Sequence, residues 1–242
     1  MDYKSKIILI AGPTASGKSK IAINLAKKID GEIINADSMQ VYKQLKILTA
    51  RPTGEDRKNI KHYLFGIIDV RKRFSTGQWL KECIKTINLI RKRKKVPIIV
   101  GGTGLYFKAL VDGLVSIPKF KPSDKNKILK LHNKLGQNQF YKKLIKLDPI
   151  SKKFVNSNDV SRSIRAYEVK KLTKKSLYKW FDETKTYFDK NDFVMTYVDY
   201  PRDKLIINIK KRIDRMFDLG AIKEVRKFNL IKIKKLNSVN HV

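Results

Sequence analysis

Gly12-Pro13-Thr14-Ala15-Ser16-Gly17-Lys18-Ser19 decides the reading of this chain, because two glycines with four residues between them, followed by Lys-Ser, form the pattern of a phosphate-cradling loop. Its flanks supply the context that loop needs. Ile7-Ile8-Leu9-Ile10-Ala11 reads as a buried strand, and Ile21, Ala22, Leu25, Ala26 and Ile29 recur at helical spacing, so a helix starting near Lys18 runs to the turn at Asp30-Gly31. Strand, glycine-rich turn and helix N-terminus aim backbone N–H groups and the positive end of a helix at one spot, which suits a di- or triphosphate. Lys18 adds a mobile charge for the terminal phosphoryl oxygens. The Ser19 hydroxyl is a natural ligand for the Mg²⁺ that accompanies them.

Two more strand ends point to the same place. Glu32-Ile33-Ile34-Asn35-Ala36 is apolar enough for a second strand and ends in Asp37-Ser38-Met39-Gln40-Val41-Tyr42, while Val96-Pro97-Ile98-Ile99-Val100 is a third, ending in Gly101-Gly102-Thr103-Gly104-Leu105-Tyr106. In an open α/β sheet, residues just past the carboxyl ends of the strands line the ligand crevice. Asp37 there can hold Mg²⁺ or its water, accept a proton from a nucleophile, or cap the following turn with its own side chain. The glycines after the third strand permit close backbone approach, and Thr103 brings a hydroxyl. Between these strands, Ser75-Thr76-Gly77-Gln78 has capping-box spacing and opens a helix with Trp79, Cys83, Ile84, Ile87 and Ile90 on one face. The basic run Arg91 to Lys95 reads as its solvated C-terminal end.

The chain has 242 residues, 55 of them basic against 22 acidic, for a net charge of +33. A field of that size attracts polyanions, with nucleic acid the foremost partner. Most of the basic residues are lysines in a chain also rich in Ile and Asn, so a compositional origin for part of the charge stands beside that reading. One cysteine, Cys83, leaves no internal disulfide and no cysteine-based zinc site, and three scattered histidines have no metal-ligand spacing. No apolar run approaches the ~20 residues of a membrane span and no signal peptide is apparent, so a cytoplasmic protein without membrane contact is expected.

The fold expected is α/β, a P-loop NTPase-like parallel sheet core formed by residues 1–117 and 192–242, with a helical subdomain inserted at 118–191. The insertion carries helical patterns over Ser123 to Leu135, Gln139 to Leu147, Val160 to Leu172 and Ser176 to Phe181. Asn158-Asp159 can cap the third of these. Arg162 and Arg165 share a face of it, suited to phosphate contacts on RNA or over a nucleotide, or else to surface ion pairs with Asp159 or Glu168. Phe193 to Val198 returns to strand character. Past Pro201, an amphipathic helix carries Ile206, Ile209, Ile213, Met216 and Phe217 on a broad face, with Arg212 and Arg215 beside it, and a final helix covers Ala221 to Phe228.

The ordered set Gly12 to Ser19, Asp37-Ser38-Met39-Gln40-Val41-Tyr42, Thr49-Ala50-Arg51-Pro52 and Gly101 to Tyr106 resembles the bacterial tRNA dimethylallyltransferase family. Weaker matches continue through Asn158-Asp159, Arg162, Arg165-Ala166 and Arg212 to Met216. The resemblance implies transfer of a dimethylallyl group from dimethylallyl diphosphate to the exocyclic amine of an adenosine beside the anticodon of tRNA, by a monomer. It makes Asp37, Lys18 and Thr103 the catalytic set, with Gly12, Pro13, Thr14, Ala15, Ser16, Gly17, Lys18, Ser19 and Arg212 on the diphosphate and Mg²⁺ on Ser19. It assigns tRNA contacts to Asp37, Ser38, Met39, Gln40, Thr103, Ser161, Arg162, Ser163, Ile164 and Arg165, with Gln40 pairing to the adenine edge.

The chain departs from the family pattern in two ways. Leu48 stands where the family has Gly before Thr-Ala, with Arg51 in place of Lys. Family members also continue for several dozen residues past the helix ending near Phe228, with an Arg/Gln-rich helix on the tRNA, whereas this sequence stops at Val242. An adenylate prenyltransferase, a small-molecule P-loop kinase and an RNA-binding module with a vestigial site are the alternative readings.

Overall fold

A computed structural model describes residues 3–57 and 59–231. The chain divides into two compact units, one reaching to Val111 and resuming at Tyr187, the other Asp112–Thr186. The first unit contains β1 (Ile7–Ala11), α1 (Lys18–Ile29), β2 (Gly31–Asn35), α2 (Gly54–Arg57), β3 (His62–Tyr63), α3 (Thr76–Lys92), β4 (Val96–Gly101) and α4 (Gly104–Val111). The second holds α5 (Pro122–Leu147), a 3₁₀ turn (Pro149–Lys153), α6 (Val160–Thr173) and α7 (Leu177–Phe181). The chain then returns to the first unit with β5 (Phe193–Tyr197), α8 (Arg202–Asp218) and α9 (Ala221–Asn229).

The five strands form one parallel sheet in the order β3-β2-β4-β1-β5. Parallel strands need helical crossovers, which cover both faces, so the central strands β1 and β4 are apolar at consecutive positions and not at alternate ones. Ile7 and Leu9 pack on one face with Ile34, Ile99, Trp79, Cys83 and Ile87, and with Tyr106 and Leu110 of α4. Ile8 and Ile10 pack on the other with Ala22, Ile23, Ala26, Ile33 and Ile98. Ser75 caps α3 through the reciprocal capping box with Gln78.

Several local expectations are corrected. On α1 the buried positions are Ala22, Ile23 and Ala26, whereas Ile21 is 43% exposed, because the helix turns Ile23 and not Ile21 toward the strands. The basic run is not wholly solvated: Arg93 pairs with the buried Glu32, whose carboxylate also accepts from Tyr63 Oη at 2.9 Å, and Lys95 pairs with Asp30. The broad apolar face of α8 contributes nothing to the core clusters. Its Ile206, Ile213 and Phe217 are exposed, and α8 is instead tied by polar side chains to the loop after β1.

Gly101 fixes how closely β4 approaches β2. A Cβ there would lie 2.1 Å from the Ala36 carbonyl oxygen, a backbone atom that cannot swing aside. Gly101→Ala is therefore expected to destabilise the first unit by at least ~1–3 kcal/mol, the usual cost of overpacking, read as a lower urea midpoint at unchanged slope.

In the second unit Gly136, at φ 71°, breaks α5 into two helical stretches. Phe140, Leu144, Ala166, Tyr167 and Val169 form its core. The buried Asp148 carboxylate accepts from Ser151 Oγ at 2.9 Å and Ser176 Oγ at 2.8 Å, linking the 3₁₀ turn to the cap of α7. Among the described residues no helix is long and apolar enough to cross a membrane.

Candidate active site

The loop between β1 and α1 takes the conformation its glycines allow. Ala15 and Gly17 have φ of 60° and 82°, and both Ser16 Oγ and Lys18 Nζ donate to the Pro13 carbonyl, at 2.9 and 2.7 Å. Gly12 lies against Val198, where a Cβ would meet Val198 Cβ and carbonyl oxygen at 3.1 Å. Thr14, Ala15, Gly17, Lys18 and Ser19 line a cavity of about 440 Å³ together with Asp37, Gln40, Ala50, Phe65, Gly101, Arg212 and Arg215. The strand ends after β1, β2 and β4 thus supply one site, as expected where neighbouring crossovers leave a crevice.

Asp37 is positioned by its neighbours. The buried Asn35 side chain accepts from Asp37 N at 2.9 Å and donates to Asp37 O at 3.0 Å and Leu64 O at 3.1 Å. Trp79 Nε1 holds the Asn35 carbonyl at 2.8 Å and its ring stacks on Tyr106, centroids 4.2 Å apart. Asp37 Oδ1 caps the following turn, accepting from Met39 N at 2.8 Å and Gln40 N at 3.3 Å. Its Oδ2 accepts no hydrogen bond from the described residues. Capping, one of the uses open to Asp37 in the sequence, thus occupies Oδ1 and leaves Oδ2 available for a proton or for a metal and its water. Thr103 closes the same turn: its Oγ1 accepts from Ser38 N at 3.0 Å, and its own N–H donates to the Ala36 carbonyl.

The site is electropositive around that carboxylate. Burial is the main cause that pushes the Lys18 pKa below the ordinary lysine range, with Asp37 opposing and Arg212 assisting. Burial likewise lowers Arg212, again opposed by Asp37. Arg212 Nη1 donates to Thr14 Oγ1 at 3.1 Å and Nη2 reaches the Thr49 carbonyl at 3.4 Å, while Asn208, one turn earlier on α8, donates to Ala15 O at 3.3 Å. Asn208 and Asn35 escaped the sequence reading. The four-residue spacing of Asn208 and Arg212 was the available signal for the first; nothing local marked the second.

Gln40 is turned away from a two-sided pairing. Its Nε2 donates to Thr49 O at 2.8 Å and Ala50 O at 3.3 Å, which leaves Oε1 as the acceptor. Leu48 needs no glycine, since the left-handed residue of that turn is Ala50 at φ 46°, and Leu48 packs against the Val41–Tyr42–Leu45 cluster. A Mg²⁺ fits the chemistry of the donors: Ser19 and Asp37 face one cavity, and Mg²⁺ takes most of its ligands from substrate phosphates and water. Among the described residues no cluster of three His, Cys, Asp or Glu side chains would hold a metal unaided.

Ser161, Arg162, Ser163, Ile164 and Arg165 lie on α6 in the second unit. Asp159 caps α6 and pairs with Arg162 at 2.8 Å, and Arg165 pairs with Glu168. Ser163 is fully buried, accepting from Gln137 Nε2 at 3.1 Å, and Ile164 packs on the unit's core. Of this stretch, Ser163 and Ile164 are therefore taken up by the unit's interior, and Ser161, Arg162 and Arg165 are the ones left at its surface.

The sequence profile described as IPP transferase matches residues 40–241. The chain is 56% identical over its whole length to a tRNA dimethylallyltransferase of Pelagibacter ubique, spanning 77% of it, and 39% identical over 92% of its length to one of a Caulobacter species, spanning 72% of that. Among solved structures it resembles a eukaryotic dimethylallyltransferase crystallised acting on tRNA, with TM-score 0.80 and 31% identity over 93% of this chain and 56% of that one. It also resembles the full-length tRNA isopentenylpyrophosphate transferase of Bacillus halodurans, with TM-score 0.66 and 33% identity over 98% of this chain and 74% of that one. With the phosphate loop, the Asp37 carboxylate and Gly101 gathered at three strand ends, and with relatives this similar over almost all of its length, the chain belongs to the IPP transferase family.

Proposed function

We propose that this protein transfers a dimethylallyl group from dimethylallyl diphosphate to the exocyclic amine of an adenosine in tRNA. The observation that carries the reading is the convergence of Lys18, Asp37, Gln40 and Arg212 on one cavity, in a chain of net charge +33. The adenosine amine is a weak nucleophile because its lone pair is delocalised into the ring. As its N–C bond to the prenyl C1 forms and the C1–O bond to diphosphate breaks, Asp37 Oδ2 takes the amine proton. The departing diphosphate collects charge that Lys18, Arg212 and the N–H groups of residues 14–19 neutralise in place. Ser19 would hold a Mg²⁺, which would supply further neutralisation of the leaving group. Gln40 Oε1 accepts from the amine's second hydrogen, which turns the nitrogen toward Asp37. The adenosine must leave its stack to enter, and the basic surface holds the RNA while it does so.

The test is acceptor competition with labelled dimethylallyl diphosphate. Label entering tRNA in preference to AMP, with transfer falling steeply as salt rises, is the expected result. Preference for AMP would assign the chemistry to a free nucleotide.

A further inference from the structure

Glu224, on α9, makes the densest set of side-chain contacts to backbone near the active site. Its Oε1 accepts from Lys46 N at 2.8 Å and Ile47 N at 2.9 Å, and its Oε2 from Ile47 N at 3.0 Å and Leu48 N at 2.9 Å. Three consecutive amides therefore end on one carboxylate, which serves as a cap for the helical turn that follows. That turn is closed by Thr49 Oγ1 donating to Leu45 O at 2.8 Å, Ala50 N to Ile47 O at 2.8 Å and Arg51 N to Lys46 O at 3.0 Å. The carbonyls at its far end, Thr49 and Ala50, are the groups that hold Gln40 Nε2, and Thr49 O also receives Arg212. Glu224 also lines a second cavity of about 600 Å³, whose wall of Ala50, Arg212 and Arg215 is shared with the catalytic one.

We infer that Glu224 is a positioning residue for the acceptor base: by anchoring the amides of Lys46, Ile47 and Leu48 it fixes the Thr49 and Ala50 carbonyls, and through them the direction in which Gln40 presents Oε1. A carboxylate is required because all three partners donate. Glutamine has the same shape but replaces one acceptor oxygen by an NH₂ that meets N–H groups head-on. The anchor reaches the turn from nearly the opposite end of the chain, so the geometry of the acceptor side depends on α9 being docked. On the diphosphate side the loop of residues 12–19 does not share this dependence, and Arg212 touches it only through its longer contact to Thr49 O at 3.4 Å, being held also by Thr14 Oγ1 at 3.1 Å. The inference rests on the proposed reaction for its kinetic part only.

The experiment compares wild type, Glu224→Gln, Gln40→Ala and the double variant, each as the full chain. Backbone hydrogen exchange of the segment 45–51 is followed first, and is expected to quicken in Glu224→Gln while β1, β2 and β4 stay protected. Unchanged exchange there would overturn the anchor whatever the enzyme does, and a wild type that transfers no prenyl group would instead overturn the proposed function. In the transfer assay, Glu224→Gln is expected to lose on the order of 10- to 100-fold in kcat/KM for tRNA, as a displaced positioning group does, with inhibition by inorganic diphosphate changed by less than about 3-fold. A pure packing role would be rescued by Gln, and a general loosening would weaken diphosphate equally. Because both residues act on one contact, the double variant should lose less than the product of the single losses. Full additivity, or wild-type kcat/KM in Glu224→Gln, would contradict the inference.

Discussion

Asp37→Asn is expected to lower kcat by about 10²–10⁴-fold, the range general-base catalysis contributes, while diphosphate still binds. Asparagine is the informative choice because the two oxygens of Asp37 do different things. The side-chain oxygen of Asn can keep the cap on Met39 N and Gln40 N that Oδ1 now provides. Only the proton acceptor is lost. Asp37→Ala removes both, so it combines the chemical loss with a freed turn and should also melt earlier. Single-turnover transfer and the inhibition constant for diphosphate, measured on both variants, separate the effects. Near-normal turnover in Asp37→Asn would remove Asp37 from the role of base.

Lys18→Ala is expected to cost on the order of 10²–10³ in kcat, as loss of one preorganised charge at a departing oxyanion does, and to weaken diphosphate as well. Lys18 carries a testable pH signature. Its pKa in the free protein is depressed, by burial first and by Arg212, with Asp37 opposing. A bound diphosphate favours the charged ammonium and raises that pKa again. Diphosphate affinity should therefore be complete below the depressed free-state value and fall as pH rises through it, starting below the ordinary lysine range. In Lys18→Ala that alkaline fall should vanish. An identical alkaline profile in the variant would assign the titration elsewhere.

The parallel-sheet core was legible because β1 and β4 are continuous apolar runs and β2 centres on Ile33-Ile34, each followed by glycine or small polar residues, and that pattern marked the strand ends that line the cavity. Helix α4 was not legible: it begins at Gly104, directly after a glycine cluster that reads as a turn. The α8 face shows a different limit. Periodicity says which residues share a face and not what covers them, and Ile206, Ile213 and Phe217 share one that the core does not use. Of the site, Lys18, Asp37, Gln40 and Thr103 could be read from position relative to a strand. Asn35 and Glu224 could not, since their importance lies in backbone groups that no side-chain pattern reports.

Mass spectrometry of nucleosides released from tRNA after incubation with the protein, Mg²⁺ and dimethylallyl diphosphate decides whether the prenyl group reaches the adenosine amine. An adenosine carrying one dimethylallyl group in place of an amine hydrogen is expected with wild type and nearly absent with Asp37→Asn. Unmodified adenosine in tRNA that the wild-type protein nonetheless binds tightly would contradict the proposed transfer.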